Sequence, residues 1–552
     1  MKRIGVSQFT LILGCVSMVV PAFAAGPADQ IVDRIVAGEQ QFLSQMQNQQ
    51  PFVETYIQEM NFIESVPLRD HYMLARLDLT KADDETTLTE SAGFKQSRLH
   101  HFYTSPRLTF HPAGFVRMTF VDMTNFDRKT YKFEYLRRQF LGDIRCLVFE
   151  VSPVNGVDGG RFMGDIWVDD VDYRIVRFNG TFTRGTRSNR YLHFDSWRFN
   201  AAAGLWVPAY VYVEEGNEAP RQTEKYMLKA QVRLWGYQNK PGSRLDEMSE
   251  IHIDSDKAVD NAVPKDMLPL ESERSWERQA EQNVLDKLER SGLLAPKGEV
   301  EKVLNTVVNN LEVTNHIDED VECRVLLTTP METFSMYRTI VISRGLLDVL
   351  PDEASLAMVL SEELAHIALG HRTPTAFAFG DATMFADQQI LDKLNVARTP
   401  AEMAEASRKA VEILSNSPYA GKLSNAGLFL KAVGGKMRTL TNLVHANLGN
   451  EFASRENLDR LAALEEKAPP LDNAKIDQIS ALPLGSRVKL DPWNDQITLV
   501  KTEQLPLVSA REKMPFEVTP VMLHLTRAGA QDGAQGAERL GVSIQLSGDS
   551  AR

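Results

Sequence analysis

The sequence predicts an α+β protein of several domains, in which an antiparallel β-sheet domain is followed by a mainly helical one. Three observations carry this reading. The chain has 552 residues and is 43% hydrophobic, which is too long for one core and ordinary enough in composition to fold as globular domains. Apolar and polar residues alternate between about Arg98 and Tyr237, as in half-buried strands. From Trp276 to about Pro470 the apolar residues recur at helical spacing instead.

At the N-terminus, Met1-Lys2-Arg3 precedes an apolar stretch from Phe9 to Val20 and then Ala22-Phe23-Ala24, the small residues that a signal peptidase needs. Residues 1–24 therefore read as an export signal, which makes the protein periplasmic or secreted. Ile12-Leu13-Gly14-Cys15 offers a rival lipoprotein box, but the apolar run continues past Cys15, which such a box does not need. No later stretch has the roughly 18 consecutive apolar residues of a membrane-spanning helix. With Cys15 removed, only Cys146 and Cys323 remain, far apart in sequence, so a disulfide framework is not expected. The formal charge of −13 and the lack of Lys/Arg clusters interleaved with aromatics argue against nucleic acid as a partner.

Residues 25–95 read as an N-terminal helical segment, because Ile31, Ile35, Phe42, Met46, Phe52 and Tyr56 have near-helical spacing through about Met60. Residues 96–240 read as the sheet domain, with strands at Cys146–Val151, Gly164–Val168, Tyr173–Phe178 and Trp206–Val213 separated by Asn, Gly and Asp turns. Its apolar strand faces read first as plain core, docked on the N-terminal helices. Residues 241–275 read as a linker, with Pro241-Gly242-Ser243, Pro264 and Pro269 as breakers. Residues 276–470 form the mainly helical domain, interrupted by strand-like runs at Cys323–Leu327 and Thr339–Ile342. Residues 471–552 carry a short β segment at Arg487–Leu490 and Gln496–Val500, then a Gly/Ala/Gln-rich tail expected to be disordered.

The chemistry lies between Pro351 and Arg372. Asp352 and Glu353 suit a helix N-terminus, and Leu356, Leu360, Leu364 and Ile367 give a helix from about Asp352 to Leu369. This helix is apolar nearly all round except for Glu362, Glu363 and His366, so it is buried with polar groups aimed at something. Positions 362 and 366 share one face, and 363 stands beside it, about 100° round the axis. That is the spacing of the H-E-x-x-H zinc motif, in which two histidines hold the metal and the glutamate polarises its water. Here Glu362 takes the first histidine's place. His371 lies five residues beyond His366, about 140° away on the wheel, so one undistorted helix cannot aim both at one ion. The bland alternative is a metal-free ion network, with Arg372, Arg455 or Arg460 neutralising the buried acids.

The run Leu360-Ser361-Glu362-Glu363-Leu364-Ala365-His366-Ile367-Ala368-Leu369-Gly370-His371-Arg372, with Thr339–Leu347 upstream, resembles the HtpX-type (CAAX prenyl endopeptidase type) family of zinc metallopeptidases. The resemblance covers roughly residues 276–470 and implies a zincin-like domain with zinc as cofactor. It implies Glu363 as general base, His366 as second zinc ligand and Glu362 in the place of the first. The family's third ligand is a glutamate four residues before an aspartate on a later helix. Glu456 stands only three before Asp459, with Arg455 at the four-residue offset, so Glu456, Glu451 or no residue serves. The matching histidine at 371 looks structural in the family. Exported relatives imply envelope protein quality control, with polypeptide substrates or clients, outer-membrane proteins among them. Two functions follow: zinc-dependent peptide hydrolysis, or a catalytically inactive pseudopeptidase that binds polypeptide or acyl chains in a chaperone-like way. Separately, Gly164–Asp169 with Tyr173–Arg177 resembles the curved half-barrel of periplasmic lipoprotein-carrier domains.

Overall fold

The structure is a computed structural model. It describes residues 27–61, 67–76, 115–154, 159–183, 192–215, 226–237, 269–372, 374–385, 387–452, 464, 466, 468–469, 488–491, 496–499, 516–518 and 520–527. The expected export signal, most of the expected linker, Arg455, Glu456, Asp459, Arg460 and the final tail lie outside the described residues.

Helix α1 (Pro27–Met46) leads into nine strands: β1 (Phe52–Asn61), β2 (Pro67–Arg76), β3 (Tyr131–Leu141), β4 (Ile144–Pro153), β5 (Phe162–Asp169), β6 (Ile175–Phe182), β7 (Leu192–Ala202), β8 (Leu205–Glu215) and β9 (Tyr226–Trp235). They form one antiparallel sheet in the order β2-β1-β9-β8-β7-β6-β5-β4-β3. The expectation of helix through Met60 is corrected: Phe52–Asn61 is a strand, paired residue for residue with β9 from Phe52↔Trp235 to Asn61↔Tyr226. Phe52, Tyr56 and Met60 repeat every four residues, a spacing that keeps one face of a helix and equally one face of a strand. The sheet therefore begins well before residue 96.

Both faces of this sheet are covered. On one, Val53, Ile57, Phe149, Ile166 and Val211 meet α1 through Ile35 and Phe42, and meet the segment around Phe120 and Phe126. Arg198 ties that helix down by donating to both carboxylate oxygens of Glu39, at 2.8 and 2.6 Å. The other face carries Phe52, Tyr56, Tyr72, Trp167, Trp197 and Trp235 and shares one continuous core with the second half of the chain. Burying such aromatic side chains stabilises by about 1.5–3 kcal/mol each.

The second half is mainly helical, with a small sheet. Its helices are α2 (Pro269–Ser291), α3 (Glu299–Asn315), α4 (Arg344–Val349), α5 (Glu353–Ala368), α6 (Ile390–Lys393), α7 (Pro400–Ser415), α8 (Leu423–Lys436) and α9 (Thr441–Val444). Strands β10 (Glu322–Leu326), β11 (Glu332–Met336), β12 (Thr339–Ser343) and β13 (Asn450–Glu451) pair in the order β10-β12-β11-β13. Further on, β14 (Val488–Asp491) and β15 (Gln496–Leu499) form an antiparallel pair where alternation was read in the sequence. Cys146 and Cys323 are both buried as free thiols. Among the described residues, no helix is long and apolar enough to cross a membrane.

Candidate active site

Helix α5 forms where the leucine spacing places it. Asp352 caps it by accepting from the Ser355 amide at 2.8 Å, and Asn425 holds the other carboxylate oxygen of Asp352 at 2.8 Å. From Ala357 to His366 every residue is buried, because α7 and α8, the small sheet and α3 surround it. Glu362, Glu363 and His366 are thus enclosed, and burying ionisable groups costs free energy unless each finds partners.

Glu363 has them on one oxygen only. Its Oε1 accepts from Thr333 Oγ1 at 2.7 Å and from Asn450 Nδ2 at 3.0 Å, while Oε2 is buried with no hydrogen-bond partner. Thr333 and Asn450 are themselves paired across β11 and β13, so two neighbouring strand positions present two donors to one carboxylate oxygen. Neither residue was singled out in the sequence, where an isolated Thr and Asn carry no local signal.

His366 is fully buried, and its Nε2 also has no partner. Its Nδ1 lies 2.8 Å from Nδ1 of His371, which becomes possible because the helix stops at Ala368 and Gly370 turns the chain at φ +67°. The sequence reading that an undistorted helix cannot bring these rings to one point stands; the turn brings them together as a hydrogen-bonded pair. Glu405, 3.6 Å from His371 Nε2, favours a proton on that nitrogen. His371 Nδ1 then accepts from His366 Nδ1–H, which leaves a lone pair on His366 Nε2, the form a metal ligand needs. Burial pulls the His366 imidazole down to about 4; the Glu363 carboxylate opposes this, and Arg398 and His371 add to it. The ring is neutral at pH 7.

Glu362 is engaged from α7. Its Oε1 accepts from Ser407 Oγ on α7 at 2.6 Å. Arg372 does not neutralise the buried acids, as the ion-network reading would have it: its side chain is largely exposed and pairs with Glu273 at 2.8 Å. Among the described residues, Arg398 is a cation near the site; its Nη2 donates to the Ser335 carbonyl at 2.9 Å and its amide donates to Asn450 Oδ1 at 2.8 Å. Glu451 pairs with His445 at 2.8 Å.

The donor set fits a metal only in part. The two unpartnered buried atoms, Nε2 of His366 and Oε2 of Glu363, are what a ligand and an adjacent base require, since buried polar atoms otherwise find partners. Among the described residues, however, no three His, Cys, Asp or Glu side chains converge as a metal would need, and Glu456, the expected third ligand, lies outside them. A cavity of about 410 Å³ opens between the segments 391–403 and 446–451; Arg398 and Asn450 line it, whereas Glu363 and His366 do not.

Residues 295–411 match peptidase family M48, a span that contains β10 to β12, all of α5 and most of α7 but ends before Asn450 and Glu456. Compared with curated proteins, the chain finds no match. Among solved structures, the crystal structure of a LolA superfamily protein from Nitrosomonas europaea is similar at 14% identity, covering 38% of this chain and 94% of that one with a TM-score of 0.22. Residues 295–411, with Glu363 and His366 on their buried helix, are thus the part of this chain that matches an M48 peptidase domain.

Proposed function

We propose that the chain is a zinc-dependent endopeptidase acting on extended polypeptide in the cell envelope, with Glu363 as general base and His366 as metal ligand. The observation that carries this reading is that Glu363 Oε2 and His366 Nε2, on residues three apart in α5, are both buried without a hydrogen-bond partner. When bound there, zinc would lower the pKa of a water and polarise the scissile carbonyl. Glu363 would take the proton of the attacking water on Oε2, while Thr333 and Asn450 hold its other oxygen so that the free one stays aimed. His371 would keep the His366 tautomer fixed. The 410 Å³ cavity next to Asn450 would receive a side chain of the substrate. Glu456 is the proposed third ligand, and Glu362 an auxiliary one at most. Export rests on residues 1–24, and the proposed substrates are unfolded envelope polypeptides, outer-membrane proteins among them.

A second reading, a pseudopeptidase that binds polypeptide without cutting it, is favoured by one observation: Glu362, in the first-ligand position, is engaged by Ser407. Elemental mass spectrometry of the purified protein decides between them, alongside casein cleavage. Near one zinc per chain, lost in His366→Ala, with cleavage abolished in Glu363→Gln at unchanged zinc content, supports the peptidase. No bound zinc and no cleavage, with retained casein binding, supports the second reading.

A further inference from the structure

Two donors fix Glu363, Thr333 on β11 and Asn450 on β13, and the N-terminal sheet holds the segments that lead into these strands by carboxylates. The strand β1 contributes Glu54, nearly fully buried, whose Oε1 accepts from the Thr329 amide at 2.6 Å and whose Oε2 accepts from Thr329 Oγ1 at 2.8 Å. Thr329 lies three residues before β11, the strand of Thr333. Its carbonyl is also pressed against Gly345, where an added Cβ would come within 1.7 Å of it, so the loop is clamped from both sides.

The edge strand β2 contributes Asp70. Its Oδ1 accepts from the Asn442 amide at 3.0 Å and from Asn442 Nδ2 at 3.0 Å, and its Oδ2 accepts from the Leu443 amide at 2.7 Å. It therefore caps α9, and the Leu443 carbonyl accepts in turn from the Met331 amide at 2.7 Å. Between the two loops stands Glu332, whose Oε2 accepts from the amides of Asn447, Leu448 and Gly449 at 3.0, 2.8 and 3.1 Å. The next residue is Asn450, the second donor to Glu363.

We infer that Glu54 and Asp70 of the sheet are positioning residues for the peptidase site, fixing through the loops 329–333 and 442–450 the two donors that orient Glu363. The sheet is in this sense part of the hydrolytic apparatus without touching substrate. The inference rests on the proposed role of Glu363 for its functional half; its structural half stands without it.

The test compares Asp70→Asn, Glu54→Gln and, as control, Arg76→Lys in the full chain. Arg76 belongs to the same interface but ties β2 to the Ser291 carbonyl, at 2.6 Å, rather than to either loop. An asparagine at 70 must turn its amide group toward an N–H of Asn442 or Leu443, whereas a glutamine at 54 can keep the Thr329 amide and lose little. Asp70→Asn is expected to speed amide hydrogen exchange at 442–450 by about tenfold or more, Glu54→Gln by less at Thr329, and Arg76→Lys not at all at these amides. Casein hydrolysis in Asp70→Asn should show a kcat lowered about tenfold with KM nearly unchanged, because orientation and not binding is lost. Unchanged exchange at 442–450 in Asp70→Asn overturns the inference. Faster exchange in a chain whose wild type cleaves nothing leaves the positioning intact and refutes the peptidase reading instead.

Discussion

Replacing Glu332 separates the shape of its contact from its charge. One carboxylate oxygen of this nearly fully buried residue accepts from three successive backbone amides, those of 447–449. Glu332→Ala leaves three buried or part-buried N–H groups without an acceptor at about 1–2 kcal/mol each, so the variant should lose about 3–6 kcal/mol. Glu332→Gln can present its amide oxygen to the same three donors and direct its NH2 to Thr328 Oγ1, so the loss should stay below about 1 kcal/mol. Burial raises Glu332 above the usual 4.5, despite the three amides. The folded chain therefore binds this proton more readily than the unfolded one, and this group's contribution to stability falls as pH rises from 4.5 through the raised folded value. The glutamine variant lacks that slope, so its deficit should shrink with rising pH. Urea unfolding between pH 4 and pH 8 measures all of this. A glutamine variant as unstable as the alanine one, or an alanine variant within about 0.5 kcal/mol of wild type, refutes the reasoning.

Three further outcomes follow from the same contacts. Gly345→Ala should fail to accumulate as folded protein, or lose about 3 kcal/mol or more, since its Cβ would fall 1.7 Å from the Thr329 carbonyl oxygen; a normal melting temperature would show that the loop can move aside. Ser407→Ala removes a donor from buried Glu362 and should cost about 1–3 kcal/mol in chemical denaturation, with no cost if Glu362 is satisfied by its other contacts alone. His366, whose folded value is lowered from 6.5 to about 4, contributes stability that is complete above 6.5 and is lost as pH falls toward 4. In chelator-treated protein that loss is on the order of 3 kcal/mol and should vanish in His366→Gln.

Helix α5 was legible because local and global preferences agree there: an aspartate cap, a leucine stripe and three polar residues in an otherwise apolar helix all demand burial with a purpose. The strands from Ile144 to Phe182 and at β8 were legible for the same reason, alternation bounded by turn residues. Strand β1 was not, since Glu54 and Gln58 interrupt it with polar side chains that are buried, and its apolar residues fit a helical period as well. Thr333 and Asn450 were invisible because their role arises only when β11 and β13 pair across more than a hundred residues. Glu54 and Asp70 look like ordinary surface acids in sequence; only the second half of the chain reveals what they accept from.

The pairing of β1 with β9 also sets an order of events during synthesis. The hairpin of β1 and β2 cannot join the sheet until residues 226–235 have emerged. Even then the face bearing Tyr56, Tyr72, Trp167 and Trp197 waits for the second half of the chain. Further latches come later still, when Gln58 donates to the Phe516 carbonyl at 2.6 Å and accepts from the Val518 amide at 2.9 Å, and Arg527 donates to Asp169 at 2.7 Å. A nascent chain therefore carries a wide aromatic surface through most of its translation, and folding of this kind is slow and prone to association. A ribosome-stalled chain ending near residue 240 should recruit holding chaperones and resist refolding in isolation, and completion of the peptidase half is what releases it.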